Sequence, residues 1–184
     1  MQLELPGGAN LRPLDEADAD ELFALTDRNR AHLERWLPWV PMTRASSDSL
    51  QFIRMTRRQI EDDEGMQLAL VDGDGAIAGM VGFHRFDWLN GATTIGYWLA
   101  ADRQGRGLMT EAVRALVDHA FGERELHRVE IAAAVENARS RAIPERLGFG
   151  EEGVRRDAER HGDRYLDLVV YSLLESEWPP GGAR

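Results

Sequence analysis

Apolar and polar positions alternate with two different periods along this chain, and the switches between them mark out its elements. Residues 3–13 read as an opening strand interrupted by Pro6-Gly7-Gly8. Asp15 is placed to cap a helix over 16–28, with Leu22, Phe23 and Leu25 as apolar positions. In NRAHLERWLPWVP a short helix should stop at Pro38, around which Trp36, Leu37, Trp39 and Val40 crowd. A second amphipathic helix is expected over 46–63, carrying Leu50, Ile53, Met55 and Ile60. Residues 66–71 and 77–86 read as strands joined by a VDGDG hairpin turn, and Leu89-Asn90-Gly91 turns the chain into a strand over 93–99.

The second half switches period again. Leu108, Met109, Ala112, Val113, Leu116, Val117, Ala120 and Phe121 recur at i, i+4 and predict a helix. A strand follows over 129–135. A helix over 137–147 ends at Gly148 and is kept short or kinked by Pro144. Strands over 149–155 and 165–174 flank a turn at His161-Gly162-Asp163. The tail WPPGGAR, chiefly 179–184, is expected to fray. This order predicts a single α+β domain over 1–184, with a mixed, mostly antiparallel sheet of about six to seven strands flanked by helices.

Composition narrows the chemistry. The chain has 184 residues, no Cys and a net charge of −10, and all 22 basic residues are Arg. Absence of Cys rules out disulfides, thiolate metal sites and a Cys nucleophile, and fits a cytoplasmic protein. The acidic balance argues against a nucleic-acid or anionic-membrane partner and suits a cationic acceptor such as an amine or a basic protein. The N-terminus lacks the pattern of a signal peptide, and no apolar run approaches membrane-spanning length. His32, His84, His119, His127 and His161 show no metal-ligand spacing, so no metal site is expected.

One stretch stands out. In GYWLAADRQGRGLMTEA a strand feeds a turn carrying Gly105 and Gly107, and the turn opens a helix. The first N–H groups of a helix lack internal partners and sit at the positive end of its dipole. Glycine lets the backbone approach an anion closely, so this turn reads as a pyrophosphate cradle. The strand does not open a Rossmann unit, because GxGxxG is absent.

Together, IGYWL, DRQGRGLMTEA, VENARSRAIPERLGFGEEG and GDRYLDLVVYSLLESEW resemble the GCN5-related N-acetyltransferases (GNAT) over nearly the whole chain. The branch they resemble most is the bacterial ribosomal-protein N-acetyltransferases, to whose acceptor-side segment NRAHLERWLPWV is similar. One departure is Asp102, where the family often has Gln or Arg. The resemblance implies a GNAT fold with strands splayed at the cofactor site, acetyl-CoA as cosubstrate and, by family habit, a homodimer. It implies that backbone N–H groups of Gln104, Gly105, Arg106, Gly107, Leu108 and Met109 hold the pyrophosphate, with Arg103 and Arg106 adding charge at the rim. A backbone N–H near Trp98 or Leu99 would face the thioester oxygen, and Asn137 would contact the cofactor.

The same resemblance implies that Ser140 hydrogen-bonds the departing sulfur and that Glu159 is the general base; Asp157 is the nearby competitor. Asn137 and Ser140 equally suit helix capping. Trp36 and Trp39 are either core or a wall of the acceptor pocket, with Tyr97 beside them as a substrate contact. The expected reaction is acetylation of the N-terminal α-amine of a ribosomal or other protein. The alternatives are acetylation of a small-molecule amine (a polyamine, aminoglycoside or other xenobiotic) and a non-catalytic acyl-CoA-binding module. An α-amine suits a modest base better than a lysine side chain, because the gap in basicity is worth roughly 3.5 kcal/mol.

Overall fold

The computed structural model describes residues 2–179, and its elements follow the periodicity closely. Strand β1 (Leu3–Glu4) and strand β2 (Asn10–Pro13) flank the Pro6–Gly8 turn. Asp15 and Asp18 form a reciprocal capping box that leads through a short 3-10 turn into α1 (Ala19–Arg28). Helix α2 (Arg30–Leu33) is a single turn before Pro38, and α3 (Ser46–Glu61) follows. Strands β3 (Met66–Val71), β4 (Ile77–Asp87) and β5 (Ala92–Leu99) form an antiparallel meander. Then come α4 (Leu108–Gly122), β6 (Arg128–Ala134), α5 (Ala138–Arg146), β7 (Gly150–His161) and β8 (Arg164–Leu174).

The strands make one sheet in the order β1-β2-β3-β4-β5-β6-β8-β7, so the described residues form eight where about six to seven were expected. The additional strand is β1, whose two residues are too few to show an alternation. Among the described residues, only β5 and β6 pair in parallel. Alternation along β3 separates two cores. Leu68 and Leu70 join Val81, Phe83 and Ile95 under the apolar face of α4. Ala69 and Val71 pack with Met80, Ile53 of α3, and Leu22 and Leu25 of α1 on the opposite face.

Helix α5 is short, as expected, with Pro144 inside it. Three expectations are corrected. Met55 is half-exposed, because α3 buries Ser49, Ile53 and Thr56 instead. The strand expected to stop at 155 runs on to His161 as β7. Trp178 is anchored rather than frayed: it packs on the α4 core and its indole N–H donates to Asp118 at 2.7 Å. The rest of the expected tail, beyond Pro179, lies outside the described residues.

Candidate active site

The centre of the sheet opens where β5 and β6 part. Their ladder holds only from Ala92↔Arg128 to Ile95↔Ile131. Beyond it, Gly96–Leu99 stay paired with β4 while Ala132, Ala133 and Ala134 pair with β8. Two anchors fix which backbone groups face the gap. The Gly91 carbonyl accepts from His127 and Arg128 on the β6 side, and the Ala100 N–H donates to Ala78 on the β4 side. Strand alternation between these points turns the N–H and C=O groups of Tyr97 and Leu99 into the gap, and those of Gly96 and Trp98 towards β4. The N–H available to a ligand oxygen is therefore that of Leu99 or Tyr97, not that of Trp98.

Just past β5, Gly105 and Gly107 both adopt φ of 77°, a left-handed conformation that favours glycine. A Cβ at either position would meet nothing within 4 Å, so the turn is open on its outer side. No side chain caps α4, whose N-cap is Gly107, and the leading N–H groups of Leu108, Met109 and Thr110 have no intrahelical partner. This turn fits a pyrophosphate. Arg103 is committed elsewhere, bonded to Asp72 at 3.0 Å. Arg106 is exposed and stands outside the cleft lining. Gln104 reaches both ways: its amide nitrogen lies 2.9 Å from the His32 ring, and its oxygen accepts from Arg139.

Tyr97 explains how α5 survives its proline. Pro144 has no N–H to give the carbonyl four residues back, which belongs to Ser140. The Tyr97 hydroxyl takes that acceptor at 2.9 Å. The bond docks the first turn of α5 against the open end of β5. The Ser140 hydroxyl lies 3.4 Å from the same phenol oxygen, and Asn137 caps the helix by accepting from the Ser140 N–H at 3.2 Å. Burial pushes the Tyr97 phenol far above its ordinary pKa, so Tyr97 is a neutral structural donor on the α4 side of the sheet. It also lines the cleft, where it was expected as a substrate contact.

A cleft of about 2300 Å³ runs from the glycine turn to α3, and its lining includes Tyr97, Ser140, Glu159, Trp36 and Trp39. Neither Trp36 nor Trp39 joins a core cluster, which favours the pocket-wall reading over the core one. Trp39 packs against Trp98 with ring centroids 6.1 Å apart.

Glu159 enters this cleft through a bulge. Between Arg155↔Leu168 and Glu159↔Leu166, β7 inserts Arg156, Asp157 and Ala158 opposite Asp167 alone. Asp157 sits at φ 49°, and its N–H is held by the Asp167 carboxylate at 2.8 Å. Such bulges re-aim the residues that follow them. Glu159 is half-buried, and desolvation raises its pKa above the ordinary carboxylate value, with His161 opposing. Asp157 is exposed and stands outside the cleft lining. The hairpin tip closes on the acceptor segment through a hydrogen bond between the His161 ring and the Glu34 carbonyl.

Two further cleft residues had no signal of their own in the sequence: His32, and His84 on β4. The His32 ring lies 2.9 Å from the Gln104 amide nitrogen, and burial lowers its pKa. Among the described residues no cluster of His, Asp and Glu could hold a metal ion.

Comparison with known proteins agrees with this geometry. Residues 9–150 match the family model for the acetyltransferase (GNAT) domain. YdaF of Bacillus subtilis (strain 168), named as a candidate ribosomal N-acetyltransferase, is 42% identical over 170 residues, covering 91% of this chain and 92% of its own. RimL, a ribosomal L7/L12 alpha-N-protein acetyltransferase solved with coenzyme A, superposes with a TM-score of 0.90 at 25% identity, covering 95% of this chain and 98% of that one. The microcin C7 self-immunity acetyltransferase MccE, solved with acetyl-CoA and AMP, gives 0.86 at 30% identity, covering 92% and 97%.

Proposed function

Because the chain belongs to the GNAT acetyltransferase family and is thereby an acyltransferase, we propose that it moves acetyl from acetyl-CoA to the N-terminal α-amine of a protein, a ribosomal protein first among them. The observation that carries this reading is the convergence of three features on one cleft. These are the uncapped glycine turn, the open edge of β5 and the half-buried Glu159. When bound, acetyl-CoA supplies a thioester whose acetyl carbon an amine can attack.

The chain's own groups then divide the work. Backbone N–H groups from Gln104 to Met109 hold the pyrophosphate; hydrogen bonds to charged groups are worth roughly 1.5–3 kcal/mol each. The exposed backbone of Tyr97 and Leu99 receives the pantetheine arm as an added strand. The Tyr97 N–H, the first one free in the gap, faces the thioester oxygen and stabilises the charge that develops there. Glu159, with its raised proton affinity, takes a proton from the acceptor ammonium directly or through water. Ser140 offers its hydroxyl to the departing sulfur, with the Tyr97 phenol fixing the turn that carries it.

A protein α-amine is favoured because a modest carboxylate base suits an amine of pKa about 7.7–8.0 better than one near 10.4. The likeness to RimL and YdaF supports the ribosomal acceptor. A second reading, a small-molecule amine, draws support from the Trp39–Trp98 pair and the likeness to MccE with bound AMP. One screen separates them: thiol release from acetyl-CoA with ribosomal N-terminal peptides, polyamines and aminoglycosides. Release with peptides is the expected result. Release with polyamines or aminoglycosides alone moves the acceptor to the second reading. CoA binding without release from any amine leaves a non-catalytic acyl-CoA module.

A further inference from the structure

Where β5 leaves β6, a histidine that belongs to no motif lies across the strand. On β4, His84 and Arg85 stand between Phe83 and Phe86, whereas only Thr94 stands between their partners Ile95 and Thr93 on β5. This bulge delivers the His84 ring onto Gly96. A Cβ built on Gly96 would lie 1.9 Å from His84 Nε2 and 2.5 Å from Cε1, so the ring occupies the space a side chain would need. Gly96 shares a face of β5 with Trp98, two residues on, which is the face of the Trp39 contact. It also immediately precedes Tyr97, the first residue whose backbone is unpaired in the gap. The ring thus stands on the acceptor side of the sheet, one residue from the opening.

The ring is not spoken for. It lines the cleft and has no hydrogen-bond partner among the described residues. Charged groups lining the same cleft include Arg58, Asp62 and Glu64 at and just past the end of α3, Glu111 and Arg114 on α4, and Glu159 on β7; Arg35, Asp48, Arg54, Glu136, Arg139 and Arg146 line its other parts. None of them, nor Arg85 on its own strand, accounts for the lowered proton affinity of the ring. Desolvation alone does, although the residue keeps an exposed side towards the cleft.

An ammonium that becomes an amide nitrogen sheds two protons. As its C–N bond to the acetyl carbon forms, the thioester C–S bond breaks and the electron pair leaves on sulfur. The thiolate takes up one proton, and the other passes to solvent. Glu159 serves the first loss from nitrogen, which turns the ammonium into a nucleophile. We propose that His84 accepts the second, from the nitrogen as the C–N bond forms over Gly96. The proposal rests on the reading that acetyl transfer takes place at the β5–β6 opening.

The test uses the full-length protein and two independent readouts. In the ligand-free protein, NMR titration of the His84 ring should give a midpoint below the ordinary value of about 6.5. In thiol-release assays with an α-amine peptide, the acid limb of kcat/KM should follow that midpoint. His84→Gln should remove this limb and lower kcat by about tenfold or more, with Kd for CoA by calorimetry unchanged. Glu159→Gln should keep it. Should His84→Gln fail to fold, His84→Asn repeats the comparison. A ring titrating at or above the ordinary value, or a His84 variant that keeps both the limb and the turnover, overturns the proposal. If the wild-type protein acetylates only polyamines or aminoglycosides, the α-amine acceptor fails instead, and the same pH comparison with that amine still decides His84. Release from no amine at all overturns both.

Discussion

Gly96→Ala separates the fold from the chemistry at a single methyl group. Gly96 does not have a positive φ, so alanine fits its backbone without strain. The added Cβ would start 1.9 Å from His84 Nε2 and must push the ring back by at least about 1.5 Å to reach ordinary contact. That ring is the free end of a side chain with no hydrogen bond to lose, so it can yield. Reduced freedom of the unfolded chain favours alanine by about 0.4–1 kcal/mol, which offsets most of the cost of moving the ring. The expected Tm change is within about 3 °C of wild type, since 1 kcal/mol corresponds to about 2–4 °C at this size. Turnover should fall far more, because a misplacement of about 1 Å can cost 10²-fold.

Scanning calorimetry and thiol release, run on one preparation, check both halves of that expectation. Gly79→Ala supplies the contrast: its Cβ would lie 2.2 Å from the Trp98 carbonyl oxygen and 2.9 Å from Leu99 Cα, both backbone. It should lose about 1–3 kcal/mol or more. If Gly96→Ala acts through the ring, it should add little to His84→Gln in a double-mutant cycle. Unchanged kcat in Gly96→Ala, or a Tm loss matching that of Gly79→Ala, would refute the reasoning.

The other expectations concern Glu159 and the two devices that hold the site together. Glu159→Gln should cut kcat by about tenfold or more with CoA affinity intact. Its Tm at pH 7 should equal or exceed that of wild type. A carboxyl with a raised folded-state pKa stabilises the protein when protonated and loses that contribution as pH rises through the folded value. The Tm advantage of glutamine should therefore shrink towards pH ~4, near the ordinary glutamate value; a variant less stable at neutral than at acid pH, relative to wild type, contradicts this. Tyr97→Phe leaves the Ser140 carbonyl without its donor and should cost about 1–3 kcal/mol in urea melts, whereas Ser140→Ala, which loses only a 3.4 Å contact, should leave stability nearly unchanged while lowering kcat. Asp167→Ala frees the Asp157 N–H and should lower kcat as Glu159→Gln does; Asp157→Gly relieves the φ of 49° and should keep activity. Equal activity in all three would show that the bulge does not aim Glu159.

The elements buried on one face were legible because their periods are clear. The apolar stripe of α4 and the alternation of β3 led directly to the two cores. The end of β7 was not, because RRDAER is exposed on nearly every residue and its bulge breaks the alternation on which strand recognition depends. Among site residues, the glycine turn carries a local pattern from which a phosphate site could be proposed. Glu159 became a candidate only through family resemblance, since the bulge that precedes it is held by Asp167 across the hairpin. His84 was invisible for a different reason. Its meaning lies in a missing side chain at Gly96 on the neighbouring strand, and no local pattern records that pairing.

The short parallel ladder has a mechanical consequence as well as a chemical one. Four rungs, with the Gly91 carbonyl just below them, carry the backbone connection between β1–β5 and the β6-β8-β7 half. The two halves are leaves on a hinge set at one end of the strand pair. Stiffness is concentrated at the Gly91 end, and compliance grows towards Leu99 and Ala134. At the compliant end the leaves are spanned by side chains, Tyr97 to Ser140 and Gln104 to Arg139. A molecule sliding between the leaves therefore meets its least resistance where it enters and its firmest grip where the rungs begin.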